Sequence, residues 1–253
     1  MKRLVGKGEI SRAAKVVFES AERAPASVET LDAVRNLFPE RKHPLPTDDS
    51  PSVEPDDVHI EPVAVAAALR ACPKGSAAGA DGWTFDHLAS LCSDTRNPEA
   101  QRFLQALGAV MRLIGAGRLP PRVRDFLSSG VVVALKKPAG GVRPVVLQSA
   151  LKRLTCKIML KEIAAALPAI FQPHQYGVGT PGGLDVVALA LRSAAAAEPD
   201  WALATTDFKA AFQSVSRRCF LTQVNSLLPT IAPMAHAFYA HDRGAVYVDS
   251  GEF

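Results

Sequence analysis

The sequence predicts an α/β fold, and three observations carry that expectation. Apolar residues recur at helical spacing in several stretches, as with Leu151, Leu154 and Ile158. Two β-branched runs, Val131–Leu135 and Val142–Leu147, flank a Gly140-Gly141 turn and read as a β-hairpin. Trp201–Thr206 reads as a short buried strand with Asp207 at its end.

Composition bounds the function classes. Of 253 residues, 48% are hydrophobic and 21% charged, an ordinary balance for a globular chain able to bury a core. Apolar runs such as Ala164–Ile170 are too short to span a bilayer, so no membrane partner is expected. Glu9, Ser11 and Arg12 interrupt what a secretory leader would need as an apolar core. Cys72, Cys92, Cys156 and Cys219 contain no C-x-x-C pair, which argues against a structural zinc site and fits reduced thiols in an intracellular protein. Nucleus and cytoplasm are not distinguished. The net charge of +4 suits a polyanionic partner without requiring one.

The elements follow in order. Residues 1–43 read as a basic helical extension, with Leu31, Val34 and Leu37 at helical spacing. Residues 44–61 read as a linker, its prolines interleaved with Asp48, Asp49, Asp56 and Asp57 and its apolar groups too few to offset the entropy of ordering. A helix over about Pro62–Ala71 has proline suited to its first turn. The small-residue loop Lys74–Gly82 then leads into Trp83, Phe85 and Leu88, where aromatic side chains serve a core more commonly than they stack on bases.

Asn97-Pro98 caps a helix running to about Gly115. After the hairpin, a helix from about Ser149 to Leu167 sets Lys152, Arg153, Lys157 and Lys161 on its solvent surface. Further helices are expected over about Leu184–Ala197 and Ile231–Ala240, with a strand near Ala245–Val248.

Some segments bear on chemistry. A carboxylate ending a buried strand is costly unless a cation or donors meet it, and nucleotidyl transfer uses such groups to hold metal ions roughly 4 Å apart. Asp207 fits that place, although an Asp there more commonly caps the next helix. Lys136, Lys137 and Arg143 surround the hairpin tip, where they suit a triphosphate or merely line a solvated edge. Gly177-Val178-Gly179-Thr180-Pro181-Gly182 spells a dinucleotide-binding pattern, yet Phe171–Tyr176, with Pro173, replaces the strand that pattern requires. No H-E-x-x-H pairing or G-x-S-x-G elbow is present, and Ser214 and Ser216 read as helix caps.

The order of the segments adds a resemblance. Lys74–Gly82 resembles the K-x-S-x-G-x-D-G segment of non-LTR retrotransposon reverse transcriptases. Val133–Val145 is similar to their fingers hairpin, His174–Val178 to the stretch that follows, and Asp207–Phe212 to the first palm motif, D-x-x-x-A-F. The resemblance covers roughly residues 62–253. It implies right-hand polymerase fingers over residues 62–200 and an incomplete palm over residues 201–253, behind the helical N-terminal extension.

By that resemblance Asp207 is the catalytic carboxylate and binds Mg2+, with the Phe208 carbonyl as a second ligand. Lys136 or Lys137, together with Arg143, contacts a deoxynucleoside triphosphate; Phe212 gates the sugar, and Gln175 lies near the nucleotide or template. Lys74, Ser76, Gly79, Asp81 and Gly82 line the path of the template. The implied partners are an RNA template and a DNA primer; oligomeric state is not implied. No Asp-Asp pair follows Asp207, so the chain is expected to be a partial domain, inactive alone, or a retained RNA- or DNA-binding module.

Overall fold

The computed structural model describes residues 22–38, 44–45, 53–208 and 210–241, and the backbone of 246–248. Residues 1–21 and 39–43 of the expected basic extension, 46–52 of the expected linker, and Lys209 lie outside the described residues.

The main core is helical. Helix α1 (Val28–Arg35) is capped by Ser27; α2 (Pro62–Arg70) starts on proline, and α3 (Phe85–Ser90) opens with a Thr84–His87 capping box. In α4 (Pro98–Gly115) the Asn97 side chain accepts from the Glu99 amide at 2.8 Å, and Leu104, Leu107, Met111 and Ile114 form the buried stripe. Helix α5 (Pro121–Ser128) was not expected from the periodicity. Its signal is the Pro120-Pro121 pair, which places proline in a helical first turn.

The hairpin pairs β1 (Gly130–Lys136) with β2 (Val142–Gln148) in the expected antiparallel sense. Helix α6 (Ala150–Ile163) follows directly, capped by Ser149, and packs with α2 and α4. Then come α7 (Leu167–Phe171), α8 (Gly183–Ala197), α9 (Ala211–Ser214), α10 (Arg217–Leu227, capped by Ser216) and α11 (Ala232–Tyr239). Ile60, Met111, Ile114, Leu154, Met159 and Leu221 are fully buried where these helices meet. Each such side chain contributes roughly 1.5–3 kcal/mol of transfer free energy.

The hairpin carries a second, smaller core. Val34 of α1 packs on Val132 and Ala134, flanked by Ala24 and Val142. Strand β1 is the middle of the sheet. Its first residues pair in parallel with β3 (Val246–Val248), and its last pair with Glu22–Ala24 through Ala24 N to Ala134 O and Lys136 N to Glu22 O, both 2.8 Å.

Three expectations change. Within the expected linker, Val58 and Ile60 are core residues, because a 3-10 turn over Pro55–Asp57 delivers them to the face of α4. The Ile60 carbonyl accepts from Arg112 at 3.3 Å, and Glu54 pairs with Arg118 at 2.6 Å. Trp201–Thr206 forms no strand and is exposed throughout. A strand's backbone groups need a neighbour, and none of the described residues pairs with this stretch. Finally, Lys152 is buried, 3% exposed, rather than on the surface of α6.

Candidate nucleic-acid interface

The loop Lys74–Gly82 is built by local bonding. The Gly75 amide donates to Asp86 Oδ2 at 2.6 Å, Ser76 Oγ donates to the Pro73 carbonyl at 2.8 Å, and Asp81 Oδ1 accepts from the Trp83 amide at 3.2 Å. Gly82 sits at φ +69°, a conformation that L side chains rarely adopt. Gly79 lies against the start of α6: a Cβ there would stand 2.5 Å from the Gln148 carbonyl carbon and 2.5 Å from the Ser149 nitrogen. So Ser76, Gly79, Asp81 and Gly82 shape the loop, and Lys74 is its exposed cation.

Helix α6 holds the loop from the other side. Arg153 donates from its terminal nitrogen to the Ala77 carbonyl at 2.7 Å, with its guanidinium 4.6 Å over the Phe85 ring. Lys157 donates to the Ala71 carbonyl at 3.0 Å. The structure thereby brings the loop together with the base of the hairpin.

The register sorts the hairpin cations. Leu135 faces Arg143 and Lys136 faces Val142. Paired residues share a face and neighbours alternate, so Arg143 and Lys136 lie on opposite faces of the sheet. Lys136 is on the face covered by α1 and forms an ion pair with Glu22 at 3.1 Å. Lys137 and Arg143 are exposed and make no ion pair with the described residues.

Gln175 Oε1 accepts from the Val178 amide at 3.1 Å and from the Gly177 amide, closing the turn before α8. The chain before Gly177 is α7 and a turn, so the strand required by the dinucleotide pattern is not there. Asp207 is exposed, as are Phe208 (77%) and Phe212 (95%). Among the described residues no cluster of three carboxylate, thiol or imidazole groups is arranged to hold a metal ion.

A buried cation lies behind this surface. Lys152 Nζ is 4.3 Å from the centre of the Phe238 ring and 5.8 Å from that of Tyr239. Burial pulls its pKa down from 10.5 to about 8, only partly opposed by the Cys156 thiol beside it. Burial likewise pushes Cys156 and Tyr239 up, and Lys152 partly opposes that on Cys156. Charge alternation along α6 gave no warning of this residue.

Over 175 residues the chain is 27% identical to a protein of Trypanosoma brucei gambiense described as "Retrotransposable element SLACS 132 kDa protein". The chain is thus distantly similar to a retrotransposon protein. The match covers 69% of this chain and 14% of that protein, so the chain spans a small part of its relative's length. No family model matches. No helix among the described residues is long and apolar enough to cross a membrane.

Proposed function

We propose that this chain is a reverse transcriptase-type region of a retroelement protein, and that its own chemistry is the binding of RNA or primer–template. The observation that carries the reading is the joining of the Lys74–Gly82 loop to the base of the hairpin. We read the loop and the hairpin, adjacent in the family's order, as one binding edge: Lys74 is exposed on the loop, and Lys137 and Arg143 are exposed at the hairpin tip, the far end of the strands from the base that the loop meets. Similarity to a retrotransposable-element protein supports the ancestry.

Guanidinium and ammonium groups there suit phosphate oxygens, Arg143 by a bidentate fork and Lys137 as a point charge. Neutralising phosphates releases counterions, so binding by this edge weakens steeply with salt. Asp207 is assigned the metal-binding role in nucleotidyl transfer by resemblance; magnesium, when bound, would stabilise charge on the transferring phosphate. The cations assigned to the binding edge, Lys74, Lys137 and Arg143, are exposed.

The test is fluorescence anisotropy of the purified chain with a labelled RNA–DNA primer–template across a salt series. Tight binding with a steep negative salt slope is expected. Binding that is absent at low salt overturns the proposal.

A further inference from the structure

We infer that Arg153 is a positioning residue, one that holds the Lys74–Gly82 loop in a preset shape for single-stranded RNA to dock against. The inference rests on the reading of this edge as a nucleic-acid surface and adds to it the part that α6 plays.

Arg153 is occupied on several sides. One terminal nitrogen is spent on the Ala77 carbonyl at 2.7 Å, the guanidinium face rests on Phe85 at 4.6 Å, and Nε is buried with no hydrogen-bond partner among the described residues. A guanidinium used in this way fixes the backbone of the loop rather than presenting its fork to a phosphate. The second constraint is steric and carries no charge: Gly79 admits the Gln148–Ser149 backbone at a distance that any Cβ would forbid. Phe85 is buried and belongs to a helix whose Asp86 also holds the Gly75 amide at 2.6 Å. Thus α3 and α6 grip the loop from two sides, and Lys74, at its start, is exposed.

A preset loop binds more tightly because the ordering entropy is not lost on contact. Loss of a hydrogen bond to a charged group corresponds to roughly tenfold in an equilibrium constant. The experiment compares the full chain with Arg153→Gln, Gly79→Ala, Phe85→Leu and Arg153→Lys. Two readouts are taken: affinity for a single-stranded oligoribonucleotide, and amide hydrogen exchange in the 75–82 segment.

Arg153→Gln, Gly79→Ala and Phe85→Leu are each expected to speed exchange in the loop and to weaken RNA binding about tenfold. Arg153→Lys, which keeps the charge but not the planar fork, is expected to restore only part of either. Full rescue of binding by lysine, with no loss in Gly79→Ala or Phe85→Leu, means that Arg153 acts by charge and overturns the inference. Faster exchange with unchanged affinity overturns it too. If the unsubstituted chain binds no RNA, the proposed function itself fails; if it binds and these variants bind equally, only the positioning role fails.

Discussion

The ammonium of Lys152 lies 4.3 Å from the centre of the Phe238 ring, at 3% exposure, with the Cys156 thiol beside it. The π-face returns part of the lost hydration, but a cation–π contact yields about 2 kcal/mol when desolvated, less than the full cost of burying an ammonium. A lysine in this setting is held against its preference, and its proton is the weak point.

That relationship sets a pH dependence. Folded Lys152 titrates near 8 and unfolded lysine near 10.5, so above pH 8 the unfolded chain binds more protons and stability rises with pH. Below pH 8 both states are protonated and the burial cost is complete. Cys156 and Tyr239 act in the opposite sense: both are raised in the fold, so their contribution is lost as pH climbs past their ordinary values of 9.0 and 10.0. A rise in Tm between about pH 8 and pH 9, levelling or reversing above, is expected from thermal melts. Lys152→Met is expected to stabilise the chain at pH 7 by roughly 1–3 kcal/mol and to remove the rise. A destabilised variant, or one that keeps the rise, would count against this account.

Ile60 is fully buried in a stretch whose composition suggests a linker. Ile60→Ala is expected to cost about 2–5 kcal/mol in a denaturant titration, with m unchanged. A cost below about 0.5 kcal/mol would mean that residues 53–61 are not docked.

The hairpin register separates three cations of similar sequence position. Lys137→Gln and Arg143→Gln are each expected to weaken RNA binding and to reduce the salt slope by about one. Lys136→Gln is expected to change binding least, since Glu22 already neutralises that charge at 3.1 Å on the opposite face. Equal losses at all three positions would contradict the assignment of faces.

In any longer form of the protein that extends a primer, Asp207→Asn is expected to abolish extension while leaving the salt-dependent binding of RNA in place. Phe212→Ala there is expected to admit ribonucleotides. Extension by the Asp207→Asn variant, or unchanged sugar selectivity in the Phe212→Ala variant, removes the role assigned to that residue.

Local sequence was enough for the elements whose stability is local. Asn97 and Ser149 cap helices at the expected positions because a side-chain oxygen meets an amide two residues on. The Gly140-Gly141 turn closes the hairpin because both residues take positive φ, at 89° and 83°. The candidate loop was legible too, as small residues and an Asp-Gly pair, although its spacing did not reveal what holds it.

Tertiary structure decided the rest, because burial, pairing and facing are properties of neighbours rather than of a residue. Lys152 looks solvent-facing in its own helix and is buried only because Phe238 and Tyr239, more than eighty residues later, fold over it. Val58 and Ile60 become core once α4 offers them a surface, whereas Trp201–Thr206 has the composition of a strand and no described neighbour to pair with. The register of β1 and β2 parted Lys136 from Arg143, and the contact of Arg153 with Ala77 joined two segments seventy-six residues apart. A sequence carries the propensity of each piece; which pieces meet, and therefore which charges are free to bind, is settled only when the chain has packed.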